Sequence, residues 1–498
     1  MASHIRVGID LGTTNICVCV YDPQKQTKTV LVFPNGSKLL KSVVLFKDNT
    51  LEFGQEVPGI VYQVKRFMGA EFDDSCVQES IGSLNYTVVR KPDGTIGIPV
   101  TFRGKKQDLS PTEVSALMLH YVKRCVCKSM GISVTAQVPA VITVPAFFPE
   151  DAITATDEAA KTAGFTVIRL VKEPTAAAVA YDLRPGAVKG NVLVFDLGGV
   201  DFDKKMVELV LLLWLEEDPE SFVEYWGDDH PTGAFEQSKL RFACIRKKEE
   251  LSNKQKVTLD LESVLGEQGL PVVEITQEAF KDACEDLFDR CKDALQDVLR
   301  QRGVSAATLV RALVIGGASR TPGVLEAFKA VLPSIPIESD IDPKEVVAIG
   351  ACAIACDSKG MVDTVTDVVA HDIGVIMLDG NDKPYIQTLV PRNTTLPFSD
   401  SLPCSTCRDN QTEINMPFFE DEKFLKESEV GGLPPMPRKF VRIGLIYTLD
   451  VNGVLHMDVE LQEPTEKALA KDLRVETSRR NPAKPTDAHI VDEFFSES

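Results

Sequence analysis

Residues 5–12, IRVGIDLG, and residues 191–199, NVLVFDLGG, are both apolar strands that run into Asp-Leu-Gly. A buried strand ending in a glycine turn is costly to build once, and its recurrence predicts an internal duplication: two lobes facing each other, each with one such turn. Up to about residue 360 strand and helix signals alternate in the α/β manner. In SPTE at 110–113, Ser110 is an N-cap, Pro111 takes the first helical position and Glu113 completes a capping box. Val114, Leu117, Met118, Tyr121 and Val122 then follow at helical spacing. A second helix is expected over 149–165, started after Pro149 and stopped by Gly164.

Beyond residue 361 the pattern changes. VDTVTDV at 362–368 reads as a connector, and short alternating stretches punctuated by RNTTLP, RDNQ, GGLPPMPR and DVNG follow it. The expected organisation is a two-lobed domain over 1–361 (lobes about 1–185 and 186–361), a linker over 362–371 and a β-sandwich over 372–478. The tail, 479–498, is expected to be disordered apart from an apolar hook at Phe494 and Phe495.

A length of 498 residues suits roughly three domains. The net charge of −19 argues against nucleic acid or an anionic membrane as main partner, since both would repel it. The longest apolar run, MVELVLLLWL at 206–215, is too short to span a bilayer, and no secretory leader opens the chain. A cytoplasmic protein is therefore expected, with a nuclear location left open beside it. Twelve scattered cysteines in so long a chain predict reduced, buried thiols. The C-x-x-C at 404–407 has no second pair or histidine cluster beside it, which favours a structural role over redox or zinc chemistry.

No G-x-x-x-x-G-K-[ST] occurs, so P-loop chemistry is excluded. Glycine turns remain at DLGTTN (10–15), DLGG (196–199) and IGGASRTP (315–322). Glycines allow close backbone approach to an anion and present N–H groups to it. An aspartate before each of the first two turns, Asp10 and Asp196, suits a hydrated Mg²⁺ shared with phosphate oxygens.

GIDLGTTN, VITVPAFF, VKEPTAAAVAY, VFDLGG and VIGGASRTP, in this order and spacing, resemble the nucleotide-binding domain of the seventy-kilodalton heat-shock chaperones; RNTTLP, DNQ, GLPPMPR and DVNGVL resemble that family's β-sandwich. The resemblance covers residue 5 to about 475. It implies an actin-like α/β fold followed by a peptide-gripping β-sandwich, ATP and ADP with Mg²⁺ as ligands, and unfolded polypeptides as clients. It also implies J-domain and nucleotide-exchange cochaperones as partners. Asp10 and Asp196 would order the metal, and Gly12, Thr13, Thr14, Gly198 and Gly199 would cradle phosphate. Lys65 would touch the terminal phosphate or the attacking water, with Glu173 orienting that water. Lys248, Ser252, Gly316, Gly317 and Arg320 match the nucleoside side. Ile386 and Cys407 fall where the family arches over bound peptide, and Phe418 falls in its central pocket.

The sequence departs from the family at several places. After Asp196-Leu-Gly-Gly the family continues Gly-Thr-Phe-Asp, whereas this chain has Val200-Asp201-Phe202-Asp203. If these are substitutions, Asp201 sets a carboxylate beside the terminal phosphate. Two unit charges ~4 Å apart at an effective dielectric of ~20 repel by about 4 kcal/mol, roughly a thousandfold in affinity. Alternatively VDFDKKMVELV matches a later family segment that opens a long helix, and the intervening strands are missing; this alignment also accounts for Lys204 to Val207 and is preferred. Ile245 and Glu249 replace the family's Glu and Arg on the nucleoside helix, and Lys344 replaces an Asp. Pro145 keeps the place of the switch proline, but its partner arginine is Ile153. The linker lacks the family's leucines, so weak docking is expected. No lid helices and no terminal acidic cochaperone motif are expected after the sandwich. These departures predict an ATP-binding chaperone with impaired hydrolysis. Its rivals are a non-enzymatic binding module and a truncated product without activity of its own.

Overall fold

In the computed structural model, residues 5–82, 84–182, 190–227, 233–338, 340–357, 366–379, 381–463, 474–478 and 489–495 are described. The expected lobe boundary at 185–186, residues 362–365 of the connector and the tail outside 489–495 lie outside these residues.

The turn after Asp10 reverses the chain, so Arg6–Leu11 pairs antiparallel with Asn15–Asp22 in continuous register from Arg6↔Tyr21 to Leu11↔Ile16. Thr27–Val30 and Leu39–Lys41 extend that side. On the other side Val138–Val144 and then Phe165–Lys172 join in parallel, completing the lobe I sheet. The helix Pro111–Met130 begins at the predicted capping box: Ser110 Oγ accepts from Glu113 N at 3.1 Å, and Glu113 Oε2 accepts from Ser110 N at 2.6 Å. It buries Val114, Leu117 and Val122 against the sheet, alongside helix Glu150–Thr162.

Lobe II repeats this plan with a piece removed. Asn191–Asp196 is parallel to Leu309–Ile315, which is parallel to Ile337–Glu338, matching Arg6–Leu11, Val138–Val144 and Phe165–Lys172 of lobe I. Among the described residues nothing corresponds to the antiparallel strands at 15–41; the chain leaves the Leu197–Gly199 turn directly into helix Val200–Glu217. Asp201 and Asp203 sit in that helix's first turn, where the positive end of the dipole favours them. Asp201 points outward to Arg290 at 3.2 Å. A helix that begins at Val200 is the arrangement that the deletion alignment expects. The outer edge of Asn191–Asp196 pairs with no strand among the described residues, although both its faces are covered.

The lobes meet where helices Glu173–Asp182 and Val346–Cys356 cross. A Cβ at Gly350 would lie 1.7 Å from the Ala176 carbonyl oxygen, so only glycine permits this crossing. The sandwich follows. Its larger sheet runs Pro384–Val390, Ile373–Leu378, Ile414–Glu420, Lys423–Gly431, Arg474–Ser478; its smaller one runs Phe398–Ser405, Arg442–Leu449, Leu455–Glu463. Val375, Phe418, Ile443 and Leu445 fill the space between them.

The sandwich docks on lobe I through polar groups. Lys426 Nζ lies 2.6 Å from Glu150 Oε1, both side chains almost fully buried, and Glu150 Oε2 accepts from Leu455 N at 3.2 Å. Asn452 Oδ1 accepts from Leu170 N at 3.0 Å. The connector's Asp367 is 6% exposed and accepts from Thr175 Oγ1 at 2.5 Å and from Lys172 N at 3.4 Å. Among the described connector residues, Asp367 thus meets lobe I through its carboxylate.

Glu420 accepts from Glu150 N at 3.3 Å, and burial, reinforced by the charges of Glu150 and Asp151 but opposed by His371, raises its pKa to about 7. A group that binds its proton more tightly when docked stabilises docking fully below its free pKa near 4.5 and loses that contribution as pH rises through about 7. Hydrogen exchange at the Leu455 amide is therefore expected to slow, beyond the intrinsic pH effect, when pH is lowered from 8 to 6. The Glu420→Gln variant should show no such excess.

Candidate functional site

Asp10 ends the first lobe I strand, and its Oδ1 accepts from Thr143 Oγ1 at 3.3 Å. Thr143 lies there because Ile142 is registered with Ile9 on the neighbouring parallel strand. Lys65, on the short turn Val64–Phe67, is 7% exposed and reaches Glu173 Oε1 at 2.5 Å, with its Nζ 5.5 Å from the Phe148 ring centroid. From lobe II, Asp196 ends its strand beside Glu173 and within the field of Lys65. The four groups that the sequence placed far apart thus share one space between the lobes.

Three carboxylates face one ammonium, and the charge imbalance is visible in their affinities for protons. Burial first, then the charge of Glu173, raises the half-buried Asp10 to about 8; the same causes push Asp196, which keeps an exposed surface, in the same direction, with Lys65 opposing both shifts. A divalent cation would relieve the same repulsion, as the chemistry of two carboxylates plus phosphate oxygens requires. Among the described residues no cluster of three or more ligating side chains stands in metal-binding geometry.

The glycine turns approach as closely as an anion loop requires. A Cβ at Gly12 would lie 2.4 Å from the Asn15 carbonyl oxygen. Gly316 has φ of +84°, and a Cβ there would fall 2.7 Å from Asp196 Oδ1. Ser42 fixes the first turn, donating from Oγ to Gly12 O at 2.7 Å and from N to Thr14 O at 2.8 Å. Thr13 and Thr14 line a cavity with Ser42, Gln63, Asp203 and Ile245. Gly198 is exposed and Gly199 partly so, the latter close enough that its Cβ would meet Lys248 Nζ at 3.2 Å.

On the nucleoside side, Lys248 pairs with the buried Asp203 at 2.5 Å. Ser252 caps its helix and donates to Lys248 O at 3.5 Å, so it faces its own backbone. Gly317 opens the turn Gly317–Arg320, and Arg320 reaches Asp342 at 3.1 Å. Ser319 Oγ, which sequence reasoning does not single out, is buried with no hydrogen-bond partner, an orphan that a bound nucleoside could satisfy. Where the family pairs Glu and Arg, Ile245 packs with Val43, Ile60, Tyr62 and Phe242 across the lobes, and Glu249 stands between Lys41 at 3.8 Å and Lys344 at 3.7 Å. The upper cleft is therefore bridged by an apolar contact and an ion triad.

The three expected peptide-contacting residues do not converge. Val375 is registered with both Phe418 and Gln387, so Phe418, fully buried, shares its inward face. Ile386 is registered with Ile376, lies on the outward face and is 47% exposed. Cys407 lies beyond the strand that ends at Ser405, its N–H donating to Gln411 Oε1 at 2.8 Å. Phe418 fills the core between the sheets. All the cysteines, the C-x-x-C pair included, are free thiols.

A family model described as Hsp70 protein matches residues 6–210 and 221–493. Among curated proteins, a chaperone protein DnaK of Thermus thermophilus is 32% identical over 497 residues, spanning 91% of this chain and 77% of that protein. A chaperone protein DnaK of Mesomycoplasma hyopneumoniae is 32% identical over 501 residues, spanning 91% of this chain and 76% of that protein.

Proposed function

The chain belongs to the Hsp70 family of chaperones, with an actin-like two-lobed domain and a β-sandwich, and from that premise we propose that it binds Mg-ATP and Mg-ADP between the lobes and holds extended polypeptides, with hydrolysis impaired. The observation that carries this reading is the convergence of Asp10, Lys65, Glu173 and Asp196 on one space. Asp10 and Asp196 hold the hydrated metal, which screens phosphate charge when bound. The turn amides at Gly12–Thr14 and Gly198–Gly199 receive phosphate oxygens. Lys248, Ser319 and Arg320 face the nucleoside side, with Ser252 shaping the helix end behind Lys248.

Lys65 neutralises charge at the terminal phosphate, and Glu173 orients water there. The tight Lys65–Glu173 pair opposes turnover, because each group must release the other to act. The missing lobe II strands and the Ile245 and Glu249 replacements point the same way. The domain limits follow the sequence: nucleotide domain 1–361, connector 362–371, sandwich 372–478. Polypeptide clients, J-domain and nucleotide-exchange cochaperones, and a cytoplasmic location accompany the family reading; among the described residues no helix is long and apolar enough to cross a membrane. A second reading, a binder without turnover, is favoured by the triad of Lys41, Glu249 and Lys344, which spans the cleft where the family resemblance expects Glu and Arg on the nucleoside helix.

Suppression of aggregation of a chemically denatured enzyme tests the client half of the proposal. Light scattering is expected to fall in the presence of the chain, and Mg-ATP to alter that effect only weakly. Scattering unchanged at a several-fold excess of chain would remove client binding from the account.

A further inference from the structure

The terminal helix Ile490–Phe495 lies in an apolar groove of lobe I formed by strands Val43–Phe46, Leu51–Phe53 and Ile96–Phe102 and by helix Pro111–Met130. Ile490, Val491 and Phe494 are 3%, 6% and 4% exposed. The Phe494 ring stacks on Phe102 with centroids 4.5 Å apart and meets Phe46 edge-on at 5.8 Å. Phe495 lies 4.5 Å from the His120 ring, stacks over Phe53 at 6.0 Å, and has the Arg124 guanidinium 5.2 Å from its centroid. At the rim, Arg103 Nη1 donates to Glu493 O at 3.3 Å and Lys105 lies 3.6 Å from the Glu493 carboxylate.

This groove takes no part in the cleft or in sandwich docking. Its chemistry is legible from its occupant: an aliphatic pair, then an aromatic pair four residues on, with Glu493 between them facing the basic rim of Arg103 and Lys105. Six residues are too few to hold a helix in water, so the order of this segment comes from the groove, in the manner of helix-in-groove recognition. A tethered occupant competes at an effective concentration of roughly millimolar, enough to close the groove to a free helix of ordinary affinity.

We propose that this lobe I groove is a docking site for a short amphipathic helix of a partner protein, bearing an aliphatic pair at its first two positions, aromatics at the fifth and sixth and acid between them, and that the chain's own segment 490–495 keeps it closed. The own segment supplies the probe. A fluorescein-labelled peptide of residues 488–498, AHIVDEFFSES, is titrated against the chain ending at 487 and against the whole chain by fluorescence anisotropy. Saturable binding to the shortened chain, about tenfold or more weaker binding to the whole chain, and none of a peptide carrying Phe494→Ala and Phe495→Ala are expected. Should the shortened chain fail to melt cooperatively, the full-length Phe494→Ala, Phe495→Ala variant replaces it. No binding to either altered chain while it is folded, or equal binding to the whole and the opened chain, would overturn the proposal.

Discussion

Lys65→Ala is expected to lower ATP turnover about a hundredfold or more while leaving the fold intact. The magnitude is that of removing one preorganised charge from a site where negative charge develops. The fold survives because the proton affinities of Asp10 and Asp196 are already raised and Lys65 opposes that rise, so its removal lets them neutralise their charge more readily. Steady-state phosphate release with a thermal melt checks both halves. A melt displaced by tens of degrees would make Lys65 a structural residue. Equal release by the two chains would end the catalytic role and favour the binder without turnover.

Lys426→Ala should release the sandwich from lobe I. Lys426 and Glu150 are both nearly inaccessible, and Lys426 also donates to Leu455 O at 2.6 Å. Removing one member strands a buried carboxylate, at a cost of about 3–5 kcal/mol. Glu150 also accepts from the Leu455 amide and donates its own N–H to Glu420, so three contacts weaken together. Denaturant unfolding should change from one transition to two, and the Leu455 amide should lose protection. The pairing of Glu150→Gln with Lys426→Met removes both charges and should recover much of the loss, a coupling that distinguishes the stranded charge from lost packing. An unchanged single transition in Lys426→Ala would contradict the docked arrangement.

What can be read in advance follows from how local each signal is. The repeated Asp-Leu-Gly strands, the Ser110–Glu113 capping box and the helix beginning at Val200 are written in contiguous residues, and the structure forms each. The convergence of Asp10, Lys65, Glu173 and Asp196 is legible only through the family resemblance, since no spacing rule joins these positions. Thr143 escapes the sequence reading although its signal exists: it sits one position beyond Ile142 on the strand beside Asp10. The faces taken by Ile386 and Phe418 are not written in the sequence alone. Which face a strand residue takes depends on register, and the pairings around these residues contain irregularities between Ile373 and Gly374 and between Phe418 and Phe419. Asp367 reads as a weak connector residue because its partners, Lys172 and Thr175, lie in another domain. The terminal helix illustrates the same point: Phe494 and Phe495 stand out as apolar, but their groove is assembled from residues remote in the chain.

The central claim, that the cleft joining Asp10 and Asp196 is a metal-nucleotide site, is tested most directly by isothermal titration of the whole chain with Mg-ATP, beside the Asp10→Asn variant. The account predicts a saturable, one-site heat for the unaltered chain, abolished by EDTA and weakened at least tenfold in the variant. A flat titration at millimolar nucleotide, or an isotherm identical in both chains, would contradict it.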